Sequence, residues 1–397
     1  MHIAGIAAEY DPFHNGHELH IRKTREILGH DCGIVCAMSG SFTQRGEPAC
    51  LPKHVRAHAA LICGADLVLE IPAAHALSSA EGFAFAAASI FESLGCVDRI
   101  SFGSESGDIG KLQAAAQALT SPELGALLRE EMTRGISYAA AVQKAAERLS
   151  GKDLSVLASP NNLLGVQYIK ALIRLKSNIL PVTVTREGAG HDAFSADRAY
   201  PSASALRAKL RRGQSIAGYV PAAAEELYSD AVKAGRAPVS ADALEIAVLS
   251  RLRSMSREEF AALPDSTEGL GQRLMNIARK ASSLEELYAE VKTKRYAMSR
   301  IRRMVMCAFL GISVDIKREK PLYARVLACG PGGREILRRI DKDFPVITKP
   351  AAAKKLSGAA LGDFLMEVRA TDLWVLGRPE RSARAGGEEW TTGPVIL

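Results

Sequence analysis

The chain opens with an apolar run, Ile3–Ala8, that stops at Glu9-Tyr10-Asp11-Pro12 and gives way to a helical pattern from Gly16 to Leu28. A strand that ends in a turn and feeds a helix points to strand–helix–strand repetition, and that junction is where α/β proteins commonly hold a nucleotide. Asp11 and Pro12 punctuate the turn, Asn15 is a candidate helix cap, and Gly16 lets a ligand approach the backbone. His14 and His17 are three residues apart, so on a helical turn they point the same way. At a helix N-terminus, with its unpaired N–H groups and positive dipole end, two imidazoles suit phosphate oxygens. Two plainer readings compete. His14, His17 and His20 could be zinc ligands, although no Cys or carboxylate stands at ligand spacing beside them, or they could simply pack.

The strand–helix alternation continues. Near-continuous Val/Ile/Leu/Ala runs at Gly33–Met38, Asp66–Ile71, Arg99–Phe102 and Leu180–Thr185 read as strands buried on both faces. Helical patterns at His54–Cys63 and Ala80–Leu94 lie between them, which predicts a doubly wound, Rossmann-like parallel sheet with right-handed crossovers. An Ala/Leu-rich stretch, about 109–175, reads as a helical insertion. Residues 1–214 then form a nucleotide-binding domain, residues 215–320 a mainly helical domain, and residues 321–397 a small α/β appendage. The Gly-rich polar stretch Arg378–Glu389 reads as a mobile tail.

With 397 residues and 24% charged positions the chain has the profile of a soluble globular protein. No apolar run approaches the roughly 18 residues of a membrane span, and no secretory signal is visible. The seven cysteines form no C-x-x-C and sit mostly in apolar runs, as buried thiols do in a reducing cytoplasm. The net charge of +7 favours a polyanionic partner.

Further motifs fall where the sheet would place its carboxyl edge. Ser39-Gly40-Ser41-Phe42-Thr43-Gln44-Arg45-Gly46-Glu47-Pro48 follows the second strand, and Lys53 and Arg56 start the next helix and could face the same cleft. Ser101-Phe102-Gly103-Ser104-Glu105 ends the fourth strand, where Gly103 would let an adenine or ribose lie on backbone. Ser159-Pro160-Asn161-Asn162 opens a helix, and capping explains one of its Asn residues but not both. Arg186 closes the fifth strand, placed to reach a phosphate or carboxylate. Ser202-Ala203-Ser204-Ala205-Leu206-Arg207 starts a helix with hydroxyls and ends its first turn in Arg, a second phosphate cradle. Each of these also has a plain reading as a solvated loop or turn. Residues 291–320 hold nine Lys/Arg against two acidic residues. At helical spacing Lys292, Arg295, Ser299 and Arg302 share a face while Ile301, Val305 and Ala308 face inward. That face, with Arg303 and Tyr296, is either solvated or a grip on an RNA backbone.

H-N-G-H after the first strand resembles the H-x-G-H signature of the nucleotidyltransferase and class I aminoacyl-tRNA synthetase superfamily, and S-A-S-A-L-R resembles its S-x-T-x-I-R second motif. Together with M-S-G-S-F-T-Q-R-G-E-P-A, F-G-S-E-S-G-D, S-P-N-N-L-L-G-V-Q-Y and K-T-K-R-Y-x-x-x-R-I-R-R-M, these segments are similar to those of the bacterial tRNA(Met) cytidine acetate ligases from residue 1 to about 305. Asp11 stands where that family pattern has Asn. The resemblance implies that ATP and acetate give acetyl-adenylate and pyrophosphate, and that the acetyl group passes to N4 of the wobble cytidine of elongator tRNA(Met). His14 and His17 would be catalytic, stabilising charge on the leaving pyrophosphate. The ATP would be wrapped by Ala7, Ala8, Glu9, Tyr10, Asp11, Pro12, Phe13, His14, Asn15, Gly16, His17, Glu18, Leu19 and His20, with Gly103, Asn162, Arg186, Ser204 and Arg207 completing its site. Mg²⁺ would accompany the triphosphate, with no carboxylate cage visible, and Lys292, Arg295, Arg302 and Arg303 would meet tRNA. A nucleotidyltransferase that adenylates a small phosphorylated cofactor precursor and a non-catalytic RNA-binding protein remain the alternatives.

Overall fold

A computed structural model describes residues 1–134, 136–185, 202–315 and 319–397. Among these, eight strands form one sheet: β1 (Ile3–Ala8), β2 (Gly33–Ser39), β3 (Leu67–Ile71), β4 (Arg99–Ser104), β5 (Leu180–Thr185), β6 (Ala324–Cys329), β7 (Val346–Ile347) and β8 (Val395–Ile396). The order is β5-β4-β1-β2-β3-β6-β7, with β8 also on β6. The first five strands pair in parallel, as their uninterrupted apolar character predicts, and β2 and β3 are buried along their whole length. The chain moves from β1 outward through β2 and β3, then returns to lay β4 on the other side of β1. Strand order therefore reverses between β1 and β4, and the carboxyl ends of those strands frame the crevice where open α/β sheets take ligands.

Helices cover both faces. Ala80–Leu94 starts under an Ser79 cap that accepts from Gly82 and ends at Gly95 in the left-handed conformation, and its small residues let it lie close to the sheet. With Pro160–Leu175 it closes one core around Ile3, Val35, Phe91 and Phe102. On the opposite face Lys53–Ile62, Ala203–Arg211 and Ala222–Lys233 enclose Ile6, Tyr10, Phe13 and Cys36. Helix Ala222–Lys233 thus belongs to the sheet half, beyond the boundary at residue 214 expected from the sequence; its Tyr228 hydroxyl donates to Phe13 O at 3.2 Å. A separate helical core gathers Val248, Leu252, Leu274, Leu287, Ile301 and Val305. The 109–175 stretch is helical, as expected, in the segments Ile109–Thr120, Leu124–Met132, Tyr138–Ser150 and Pro160–Leu175.

Residues 321–397 are not an appendage. β6 pairs antiparallel with β3 and extends the central sheet, and helix Gly358–Val375 packs its Met366, Ala370 and Trp374 into the helical core. The expected mobile tail is likewise anchored. Arg378 pairs with Glu388 at 2.5 Å, and Glu389 is 1% exposed, bound to Lys53, Arg325 and Thr371. Polar composition suggested solvent, but these charges are neutralised inside.

The same buried cluster holds Lys53 Nζ 2.6 Å from Glu70 Oε1 and brings Glu367 to the backbone of Ala73. Burial, reinforced by the Glu70 charge, pushes the Glu367 carboxyl up to about 8. Its proton is thus held more tightly in the folded than in the unfolded chain. The resulting stability is full below about pH 4.5 and is lost as pH rises toward about 8. Glu367→Gln mimics the protonated form, so its thermal midpoint should match the parent at pH 5 and exceed it at pH 8; equal midpoints at both would refute the assignment.

Candidate active site

The first motif builds itself from the end of β1. Tyr10 takes a positive φ of 47°, and the Asp11–Pro12 peptide bond is cis. Helix Asn15–Leu28 then starts with His14, not Asn15, as its cap. Nδ1 of His14 accepts from the Gly16 N–H at 3.1 Å, and Nδ1 of His17 accepts from the His14 N–H at 3.2 Å. This is a capping box built from two histidines where Ser/Thr and Glu/Gln are usual. Asn15 instead reaches across to residues 218–219, donating to Gly218 O at 2.9 Å.

The consequence is chemical. A ring nitrogen that accepts carries no proton, so both neutral rings are the tautomer protonated at Nε2. The rings stack with centroids 3.8 Å apart and 25° between planes, so the two imidazoles are presented as a pair. Tyr10 meets His17 edge-on at 4.9 Å and Phe13 at 4.8 Å, which braces His17 from behind. His20 turns elsewhere: its Nε2 lies 3.0 Å from Ser101 Oγ on β4. Glu18 is exposed and Leu19 half-buried. Among the described residues no group of three or more His, Cys, Asp or Glu is placed to hold a metal.

The second motif joins the first directly. Ser202 caps helix Ala203–Arg211 through Ala205, Ser204 is exposed in its first turn, and Leu206 is fully buried in the core beneath the first motif. Arg207 then donates to Asp11 O at 2.8 Å, with its Nε 4.0 Å from the Asp11 carboxylate. That carboxylate also accepts from Cys50 N at 2.9 Å. The acidic residue at position 11 is therefore matched by a guanidinium. Glu9 accepts from Gln44 N at 2.6 Å, and burial pushes its carboxyl above the ordinary range against the pull of Arg207.

Lys53 and Arg56 do not face this cleft. Lys53 belongs to the buried cluster, and Arg56 is fully buried with its guanidinium on the carbonyls of Leu51, Glu9, Ser39 and Gly40. Arg56 shapes the site by tying together the loops after β1 and β2. Gly103 lies in β4 opposite Val184 of β5. Asn162 is 2% exposed, and its Oδ1 accepts from the backbone N–H groups of Glu105 and Ser106 at 2.9 and 3.2 Å. Glu105 answers by accepting from the N–H groups of Asn161 and Asn162, capping helix Pro160–Leu175 from 56 residues away. Partial burial opposes ionisation of Glu105, but the Asn bonds outweigh it and hold the carboxyl below its usual value. The tandem Asn pair thus fastens the turn after β4; the sequence signal for this is the Glu105 of F-G-S-E-S-G, an acid near enough in the fold to cap a helix that begins with two Asn. Arg186 lies outside the described residues.

The basic run is not one helix. Helix Leu284–Val291 ends at Lys292, whose Nζ folds back onto Tyr296 O at 2.7 Å, and a new helix runs Met298–Leu310. Between the two helices the buried Tyr296 donates its hydroxyl to Glu268 O at 2.6 Å. Ile301, Val305 and Ala308 are buried as their spacing predicts. Lys292 and Arg295 are exposed and Arg302 half-buried, while Arg303 is only 7% exposed and pairs with Asp265 at 3.4 Å. Arg303 is therefore a packed residue and not part of an open basic face.

A Rossmann-type sheet with a histidine pair at the β1 switch point defines a nucleotidyl transferase of the H-x-G-H kind, and the family model for HIGH Nucleotidyl Transferase matches residues 1–389. Among curated relatives, the tRNA(Met) cytidine acetate ligase of Acetivibrio thermocellus is 35% identical, covering 100% of both chains. That of Clostridium acetobutylicum is 38% identical over 88% of this chain and 90% of its own. A solved structure from Thermotoga maritima, TmcAL bound with alpha-thio ATP, superposes at a TM-score of 0.91 with 32% identity and full coverage of both chains. The chain belongs to the tRNA(Met) cytidine acetate ligase family.

Proposed function

We propose that this protein activates acetate with ATP and acetylates N4 of the wobble cytidine of elongator tRNA(Met). The observation that carries the reading is the stacked His14–His17 pair at a helix N-terminus, each ring accepting a backbone N–H at Nδ1. In the first step an acetate oxygen attacks the α-phosphorus of ATP, and pyrophosphate leaves with the bridging electron pair. The two imidazole N–H groups and the helix N-terminus oppose the charge growing on that leaving group. Ser204 and Arg207, with Asn162 and Gly103 at the β4 end and Arg186 after β5, complete the ATP site. In the second step the cytidine amine attacks the acetyl carbon, AMP leaves, and the amine gives up a proton. Acetate offers little binding surface, so its alignment depends on the bound nucleotide.

Asp11 and Glu9 are both engaged within the protein, so the described residues do not form a Mg²⁺ site of their own. Any Mg²⁺ would arrive on the triphosphate. The basic residues Lys292, Arg295 and Arg302 of the helical half would meet tRNA phosphates. Among the described residues no helix is long and apolar enough to cross a membrane. The cysteines form no disulfide, as suits a reducing compartment, and the protein would work in the cytoplasm beside its tRNA.

The test is incubation with ATP and labelled acetate, with and without elongator tRNA(Met), followed by nucleotide analysis and mass analysis of tRNA nucleosides. AMP, pyrophosphate and an acetylated cytidine are expected. ADP and phosphate as products, or label transfer to a small phosphorylated precursor in place of tRNA, would overturn the proposal.

A further inference from the structure

Three charged side chains from distant segments meet at the seam between the sheet and the helical core. Glu47, in the loop after β2, sets Oε1 2.5 Å from Nη1 of Arg302 and Oε2 3.5 Å from Nη2 of Arg211. The side chains are 37% exposed for Arg302, 32% for Arg211 and 19% for Glu47, so solvent reaches both guanidiniums. The Arg302 guanidinium also has an anchor apart from Glu47, and the backbone of Arg211 is fixed by its helix. Arg302 stands 5.7 Å from the centroid of the Tyr288 ring. Arg211 is one helical turn beyond Arg207, which holds Asp11.

The turn that delivers Glu47 is tightly built. Thr43 N donates to Glu47 O at 2.9 Å and Gly46 N to Thr43 O at 3.0 Å. Gly46 has φ +77°, and a Cβ there would fall 2.3 Å from Arg303 N. Only glycine lets this turn lie against the Arg302–Arg303 backbone. At its other end the turn donates Gln44 N to Glu9 of the first motif.

A carboxylate held by two guanidiniums presents the same two-oxygen face as a phosphodiester, and arginine binds both in the same way. Ion pairs this exposed contribute little to stability, so an incoming phosphate can displace the carboxylate at small cost. We propose that Arg211 and Arg302 form a binding site for a backbone phosphate of RNA, which the Glu47 carboxylate occupies until RNA displaces it. The inference rests on the tRNA reading above and adds to it a contact from the catalytic half and a competitor built into the chain. It puts RNA across the seam, within one helical turn of the arginine that braces the first motif.

The phosphates of ATP offer the same chemistry, so tRNA and ATP are measured side by side. Affinity for elongator tRNA(Met) is determined at about 50 and 200 mM salt, and affinity for ATP at one, for the parent, Glu47→Gln, Arg211→Ala and Arg211→Lys. Arg211→Ala should weaken tRNA binding about five- to tenfold at the lower salt and reduce the log–log salt slope by about 1, the value of one phosphate contact. Arg211→Lys should keep most of the slope. Glu47→Gln, which removes the competing charge but keeps the shape, should tighten tRNA binding at least about threefold. ATP affinity should stay within about twofold throughout. Unchanged tRNA affinity in Arg211→Ala, or weaker binding in Glu47→Gln, would reduce the trio to a structural ion pair. A parallel fall in ATP affinity would assign the arginines to the nucleotide. A parent chain that does not bind elongator tRNA(Met) at either salt concentration would defeat the tRNA reading itself, not this site alone.

Discussion

Replacing His14 or His17 by alanine should lower acetate-dependent AMP formation by about 10²–10³-fold, the scale for losing one charge-stabilising donor in a transition state. The capping box complicates the variant usefully. His14→Ala also removes the acceptor for Gly16 N, and a lost cap costs about 1 kcal/mol of stability. Two further substitutions separate the roles. His14→Ser restores a capping oxygen, and His17→Gln restores the reciprocal acceptor, without an imidazole. Both should melt near the parent and remain as slow as the alanine variants. If turnover returned with the cap, the histidines would be helix-capping residues and no more.

Lys53→Met should be the most destabilising single change in the sheet half. It leaves Glu70 and Glu389 facing one another inside the protein, and removing one partner of a buried ion pair typically costs about 3–5 kcal/mol. Denaturant midpoints read the effect directly. Adding Glu70→Gln should recover part of the loss, because it removes one of the stranded charges. Folded Lys53→Met should still bind ATP like the parent, since Lys53 points into the cluster and not the cleft. An unchanged midpoint would mean that Arg325 alone satisfies both carboxylates.

Strands β1 to β4 were legible because each is a short, largely buried apolar run, a property written in consecutive residues; β5 has the same apolar run but lies at the sheet edge, where Leu180 and Thr185 are exposed and only Val184 is buried. The histidine pair was legible from spacing alone, since His14 and His17 share a face wherever the helix begins. Asn15 reads as the cap because a histidine rarely serves there, and only the ring geometry shows His14 Nδ1 doing so. What escaped was decided by partners far along the chain. Asn161 and Asn162 make sense only beside Glu105, and Arg56 and Lys53 look like cleft residues until the carbonyls and carboxylates around them are known. The basic run reads as one face because its periodicity survives the break at Lys292, and only the long-range contact of Tyr296 with Glu268 marks where the chain leaves the helix. The tail looked solvated because local composition cannot reveal that Glu389 answers Lys53 and Arg325.

The insertion of β6 beside β3 also sets an order of assembly. Lys53 must await a carboxylate 336 residues downstream, and β3 has an open edge until Ala324–Cys329 has been made. During synthesis, the parallel core and the histidine pair can emerge early, yet the edge of β3 stays open to other strands. The nascent chain is most exposed to mispairing in that interval, which closes when Ala324–Cys329 lies down along the edge of β3.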